Sequence, residues 1–137
     1  MKEIPIDNPN GRTVRNSKQR QAILDTLASQ KSHLSAEEIY QAVKVQQPKI
    51  SLGTVYRNLE ILTETGQIDR TSFADGKARF ELSQTGHHHH LVCMKCGNIE
   101  NIITCPMARE ISGIIESHDF RPLHHYFEIY GYCRKCQ

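Results

Sequence analysis

The sequence lacks any hydrophobic run long enough to cross a membrane, and no signal-peptide core follows Met1. A transmembrane helix needs about 20 consecutive, mostly apolar residues, and a secretory signal needs an apolar core of roughly 7–15 residues. Repeats and low-complexity tracts are also missing, apart from the histidines at 87–90. These absences predict a cytoplasmic protein with no membrane partner.

An excess of charge of one sign is nearly absent as well. The net charge is +2, with 12 basic against 10 acidic residues in 1–84 and 5 against 5 in 85–137. This balance excludes a strongly basic protein that binds nucleic acid through bulk charge. The small surplus lies in the N-terminal half, as expected if that half contacts phosphate.

The cysteines form two Cys-x-x-Cys pairs, Cys93 with Cys96 and Cys133 with Cys136. Two intervening residues let both sulfurs of a pair reach one ion, and two pairs supply the four thiolates of a closed zinc site. A disulfide framework is the alternative, but paired cysteines in a reducing cytosol are more often metal ligands. We therefore predict a structural Zn2+ ion. The leftover Cys105 is expected to be a small buried side chain.

The histidine tract precedes the first cysteine pair. Successive side chains of a strand point to opposite faces, so His88 and His90 would share one face, and His87 and His89 the other. Since imidazole suits exchangeable transition metals, one tract can contribute to two metal sites. An expression tag is the alternative, but tags lie at chain ends.

Capping residues and apolar periodicity predict three helices in residues 1–82, beginning near Ser17, Ser35 and Ser51. Two strands, 67–72 and 78–82, follow the helices and are joined by an Asp-Gly turn typical of a hairpin. Three helices and a hairpin predict a winged helix, whose third helix lies in the major groove of double-stranded DNA.

Residues 83–86 are predicted to be a hinge, and residues 87–137 a second, smaller α/β domain, so the fold class is α+β. Its predicted elements are three strands and one helix: 87–93, 99–103, 126–132 and helix 106–117.

His88 and His90 cannot complete a metal site alone. Glu81, at the end of the wing, and His33, between the first two helices, are candidate partners that would tie the two domains together. Three imidazoles and a carboxylate suit Fe2+, Mn2+, Zn2+ or Ni2+. On the opposite face, His87 and His89 are expected to meet His125, with Glu110 or His124 as candidate fourth ligands, although 124–125 would equally serve as an exposed loop pair.

Candidate DNA contacts lie on the third helix and near the N-terminal arm. Arg57 can fork onto guanine, and Tyr56 can touch a thymine methyl group or a phosphate. The other candidates are polar or basic side chains suited to backbone or groove contacts: Arg15, Lys18, Arg20 and Thr54.

Residues 13–136 resemble the ferric uptake regulator (Fur) superfamily. The motifs that carry this resemblance are 51–59 in the third helix, 78–81 on the wing, 88–97 and 129–136. The resemblance implies a homodimeric repressor that binds palindromic operators when loaded with metal. It also implies that Cys93, Cys96, Cys133 and Cys136 hold structural zinc, and that His33, Glu81, His88 and His90 form the regulatory site.

This chain departs from the family pattern in both histidine sites. An acidic ligand is often found where Asn101 stands, with Glu100 next to it. In the further site, His89 stands where Asp is common, and Ala108 where Glu is common.

Peroxide-sensing members have Asp at the position of Glu81, so the resemblance favours an iron-dependent repressor of metal uptake genes. Peroxide sensing and zinc, manganese or nickel sensing are the alternatives within the superfamily. No enzymatic activity is expected: a zinc hydrolase is a remote alternative without a His-Glu-x-x-His motif. A metal storage protein is equally remote, because it would not need Tyr56 and Arg57 beside a wing.

Overall fold

The computed structural model describes residues 17–30, 33–83, 87–105, 107–123 and 125–137. The chain divides into two compact units, Met1–Gln84 and Thr85–Gln137. Arg15, His124 and most of the predicted hinge lie outside the described residues.

The first unit contains three helices and a two-stranded antiparallel sheet: α1 (Lys18–Gln30), α2 (Ala36–Gln46), α3 (Leu52–Glu64), β1 (Ile68–Ser72) and β2 (Ala78–Leu82). This order is the winged helix predicted from the sequence. The turn between β1 and β2 contains Gly76 with φ of 77°, a left-handed conformation that glycine adopts without strain.

The helices of the first unit begin where their capping residues predict. Ser35 Oγ accepts the N–H of Glu38 at 3.2 Å, and the Glu38 carboxylate accepts the N–H of Ser35 at 2.8 Å, which completes a capping box. Ser51 Oγ accepts the N–H of Thr54 at 3.2 Å at the start of α3. Ser17 accepts the N–H three residues further on at 3.3 Å.

A continuous apolar core holds the first unit together. Its most buried side chains come from all three helices and β1: Ile23, Leu27, Ile39, Val43, Val55, Leu59, Leu62 and Ile68. Each such side chain contributes about 1.5–3 kcal/mol when it leaves water. The first unit therefore has a core that needs no metal.

The second unit contains a three-stranded sheet in the order β4-β3-β5 and one helix: β3 (His89–Cys93), β4 (Ile99–Ile102), α4 (Ala108–Ser117) and β5 (Glu128–Gly131). β3 pairs antiparallel with β4 and parallel with β5. His87 and His88 were predicted to belong to β3 but precede it, and β5 is shorter at both ends than predicted.

Little apolar surface is buried in the second unit. Among its described residues, the buried apolar side chains are Val92, Cys93 and Ile99. Large apolar side chains instead lie exposed, including Ile103, Ile114, Phe120, Leu123 and Tyr126. Within the described ranges, no helix has the length and apolar character needed to span a bilayer.

Candidate metal centres

Four cysteine sulfurs gather beyond the ends of two neighbouring strands in the second unit. Cys93 ends β3 and is the register partner of Gly131 on the parallel strand β5. Both Cys-x-x-Cys turns therefore lie at the same end of the sheet, beyond the C-terminal ends of these strands. The four Sγ atoms lie within 4.8 Å of one another, and Cys96 Sγ is 3.7 Å from Cys133 Sγ. Sulfurs around a tetrahedral zinc ion are about 3.8 Å apart for Zn–S bonds near 2.3 Å. This four-cysteine cage fits structural zinc, and all five cysteines are free thiols rather than disulfides.

Hydrogen bonds shift the pKa values of two thiols in the cage in opposite directions. The N–H of Cys133 donates to Cys93 Sγ at 3.3 Å, and this bond, helped by the N–H of Cys96, lowers the pKa of the Cys93 thiol to about 6. A hydrogen bond with the Cys133 side chain raises the pKa of Cys136 to about 12. The fold thus favours the thiolate at Cys93 and the protonated thiol at Cys136, so zinc binding must release the Cys136 proton.

A buried histidine–carboxylate pair lies in the first unit. Leu34 and Phe80 exchange backbone hydrogen bonds of 3.0 and 2.8 Å, which fixes the segment before α2 against β2. This bridge places His33 Nε2 3.1 Å from Glu81 Oε2. Both side chains are buried, and the His33 ring meets Phe73 edge-on at 6.0 Å. The pair offers an imidazole and a carboxylate as metal donors.

A second pair of donors lies in the second unit. The rings of His88 and His90 are 5.1 Å apart, edge to face. Asn101 on β4 is the register partner of His90, so the two side chains share a face of the sheet. Glu100 pairs instead with Leu91 on the opposite face and is exposed. Of the two candidate additional ligands, Asn101 is therefore the one beside the histidines.

The other face of the tract forms a third cluster, also within the second unit. His87 Nε2 lies 2.8 Å from His125 Nε2, and the His89 ring is 4.3 Å from that of His87 and 5.1 Å from that of His125. His89 is only 1% exposed. Burial, followed by the neighbouring imidazoles, lowers the pKa of His89, which favours the neutral form that binds metals.

Cys105 joins this cluster, which the sequence did not indicate. Its Sγ lies 3.3 Å from His125 Nε2, and the side chain is half-buried rather than buried as expected. Glu110 is an exposed residue in the first turn of α4 and is not one of the clustered donors. Cys105 is far from both histidine segments in the chain, so no local spacing could have revealed it.

The exposed surface of α3 carries the candidate DNA contacts. Tyr56 is 47% exposed, and its hydroxyl donates to Glu37 Oε1 at 2.8 Å. This hydrogen bond lowers the pKa of Glu37 and raises that of Tyr56. Arg57 is exposed on the same helix, while Thr54 takes part in its N-terminal cap. Lys18 and Arg20 lie in the first turn of α1. Glu37 was not among the predicted functional residues, because nothing in the local sequence links α2 to Tyr56.

Curated relatives include the peroxide-responsive repressor PerR of Staphylococcus aureus (strain USA300). It is 39% identical over 125 residues, which cover 90% of this chain and 83% of the relative.

Solved structures of similar chains come from two other bacteria. The ferric uptake regulator of Vibrio cholerae matches with a TM-score of 0.76 and 32% identity, over 88% of this chain and 92% of that one. The ferric uptake regulator of Francisella tularensis, solved with iron, matches with a TM-score of 0.82 and 26% identity, over 90% and 95%.

The sequence model of the ferric uptake regulator family matches residues 11–130. This range includes Cys93 and Cys96 of the four-cysteine cage but ends before Cys133 and Cys136. Both of these lie in the second Cys-x-x-Cys turn, whose sulfurs complete the cage. The chain belongs to the ferric uptake regulator family of metal-responsive, DNA-binding transcriptional repressors.

Proposed function

We propose that this protein is an Fe2+-dependent repressor of metal uptake genes, and that one regulatory ion is bound jointly by His33, Glu81, His88 and His90. The observation that carries the proposal is the buried pair of His33 and Glu81, with 3.1 Å between Nε2 and Oε2, inside the DNA-binding unit. A buried carboxylate and imidazole at that position supply donors where an ion can act on DNA binding.

Donor number supports a shared ion. Each unit offers two donors, which is too few to hold a transition metal firmly in competition with cellular ligands. Together the pairs supply three imidazoles and one carboxylate, a set that Fe2+, Mn2+ and Zn2+ accept. The side-chain oxygen of Asn101 is a candidate fifth donor, because Asn101 lies opposite His90 in the sheet.

The ion would act through geometry. A dimer that reads two half-sites must hold its two recognition helices about 34 Å apart, one turn of DNA. We propose that the second units form the homodimer through exposed apolar side chains such as Leu123 and Tyr126, and that the operator is palindromic. An ion with higher affinity for the DNA-binding arrangement raises the population of that arrangement.

We propose that Arg57 reads a base and that Lys18 contacts phosphate. Arg57→Ala should weaken operator binding by about 5- to 150-fold per half-site, since a bidentate contact to guanine is worth about 1–3 kcal/mol. It should also relax the base preference at one position. Lys18→Ala should instead weaken binding to all sequences alike and reduce the salt dependence by about one counterion.

Fluorescence anisotropy over a series of salt concentrations measures both effects. Arg109→Ala, which removes an exposed arginine of α4 in the second unit, is the matched control and should bind as the parent does. If the Arg57 variant lost the same factor of affinity for operator DNA and for random DNA, base readout by Arg57 would be contradicted. Tyr56, Thr54 and Arg20 are further proposed contacts, as is Arg15, which lies outside the described residues.

Metal identity is tested by operator binding under anaerobic conditions. The zinc-loaded dimer is used to select an operator from random double-stranded DNA in the presence of excess Fe2+, Mn2+ or Zn2+. For each metal, the free-ion concentration needed for tight operator binding is compared with the free concentration in the cell. We expect this ratio to be lowest for Fe2+. Binding that is equally tight in a strong chelator, with the cage zinc retained, would contradict a regulatory ion.

A second candidate is peroxide sensing, and the 39% identity to the peroxide-responsive repressor of Staphylococcus aureus favours it. Peroxide would then oxidise a ligand of the regulatory Fe2+ ion and release the DNA. Fe2+-loaded protein treated with hydrogen peroxide should gain one oxygen atom on His33 or His88 and lose operator binding, whereas Mn2+-loaded protein should not. Unchanged mass and binding at peroxide levels that the cell tolerates would leave iron sensing as the function.

A further inference from the structure

We propose that the Cys105 thiolate completes a four-coordinate zinc site with His87, His89 and His125, distinct from both the four-cysteine cage and the regulatory site. This inference does not depend on which signal the repressor senses. It concerns a cluster that lies wholly within the second unit.

The four donor atoms lie close to the distances that a small ion requires. Nitrogen and sulfur donors of all four side chains are within 4.8 Å of one another. His125 Nε2 is central to the cluster, at 2.8 Å from His87 Nε2 and 3.3 Å from Cys105 Sγ. Donors on a tetrahedral zinc ion are about 3.3–3.6 Å apart, so a shift of a few tenths of an ångström at His87 accommodates the ion.

His89 supplies an independent observation. Its side chain is 99% buried, and among the described residues its Nε2 atom has no hydrogen-bond partner. Buried polar atoms are almost always satisfied, and a missing partner points to a bound water or ion. The His87 and His125 rings lie 4.3 and 5.1 Å from the His89 ring, so the unsatisfied imidazole belongs to the same cluster as the other donors.

The chemistry of the donors selects the metal. The four donors are three imidazole nitrogens and one thiolate sulfur, and none of them is an oxygen atom. A thiolate with three imidazoles is a soft set that suits tetrahedral Zn2+, whereas Mn2+ and Mg2+ favour oxygen. The site is therefore expected to discriminate against the hard cations.

The simplest competing explanation is a hydrogen-bonded network, in which imidazole N–H groups and the Cys105 thiol satisfy one another without any ion. Cobalt distinguishes the two, because tetrahedral Co2+ replaces zinc and a bound thiolate adds a charge-transfer absorption in the near ultraviolet. Full-length protein with zinc in the cage is titrated anaerobically with Co2+, and cage zinc is measured at each step.

We expect the thiolate charge-transfer band to saturate at one Co2+ ion per chain while the cage keeps its zinc. Zn2+ should displace this ion, and excess Mn2+ should not. Cys105→Ser should abolish the band and lower the affinity of the site for zinc by at least about 100-fold, the upper end of losses caused by perturbing a ligand's partners. Cys105→Asp should restore binding without the band, which separates ligation from a purely structural role.

Either of two results would overturn the proposal. A full band in Cys105→Ser would mean that cobalt had entered the cage, and binding without any thiolate band in the parent would mean that Cys105 is not a ligand. Retained cage zinc and an unchanged dimer in both variants show that they are folded. Failure here leaves iron-dependent operator binding untouched, because the regulatory donors lie on the other face of the histidine tract.

Discussion

His33→Ala and His90→Ala should each abolish metal-dependent operator binding, although the two residues belong to different units. Each variant removes one of four proposed donors to a single ion. We expect the affinity for the regulatory metal to fall by at least about 100-fold, since even partners of metal ligands contribute 10- to 100-fold. At physiological metal concentrations, operator binding should then fall to that of the metal-free protein.

The double variant His33→Ala/His90→Ala provides the sharper test. If one ion serves both units, the second substitution costs nothing further, because the interaction has already been lost. If each unit bound its own ion, the losses would add. Isothermal titration measures the metal affinity of each variant, and fluorescence anisotropy measures its affinity for operator DNA.

His118→Ala is the matched control, since His118 is an exposed histidine at the C-terminal end of α4 and belongs to none of the donor clusters among the described residues. It should behave as the parent in both assays. Retained metal response in either single variant, with cage zinc and secondary structure intact, would show that the proposed ion does not join the two units.

Cys133→Ser should unfold the second unit and leave the first unit folded. The described part of the second unit buries Val92 and Ile99 as its large apolar side chains, so it has little hydrophobic driving force of its own. Structural zinc contributes an apparent ~10–16 kcal/mol in small zinc-binding domains, which is comparable with the stability of a whole domain. The first unit has an extensive apolar core and should not need the ion.

Three measurements test this prediction together. Zinc content should fall to zero at the cage, gel filtration should show loss of the dimer, and circular dichroism should retain the signal of α1 to α3. Cys105→Ser is the control cysteine and should keep the cage zinc. A dimer with a single cooperative thermal transition in Cys133→Ser would show that the second unit folds without the cage.

Helix and strand assignments were predictable because they depend on short-range interactions. The capping box at Ser35 and the glycine turn at Gly76 act over three or four residues, and their sequence signals are direct. The start of β3 was placed two residues early, because the sequence of His87 and His88 does not show where pairing with β4 and β5 begins.

The spacing of the cysteines by itself predicted that four thiolates gather in one cage, and the alternation of the histidine tract predicted two separate groups of imidazoles, since both follow from local chain geometry. The sequence named Glu81 and His33 only as candidate partners, and the tertiary structure decided that they lie side by side. The approach of Cys105 to His125 was not anticipated and appeared only in the tertiary structure. Those contacts depend on the bridge between Leu34 and Phe80 and on the path of the chain around the second sheet. Such long-range packing is the sum of many weak contacts, and no short stretch of sequence records it.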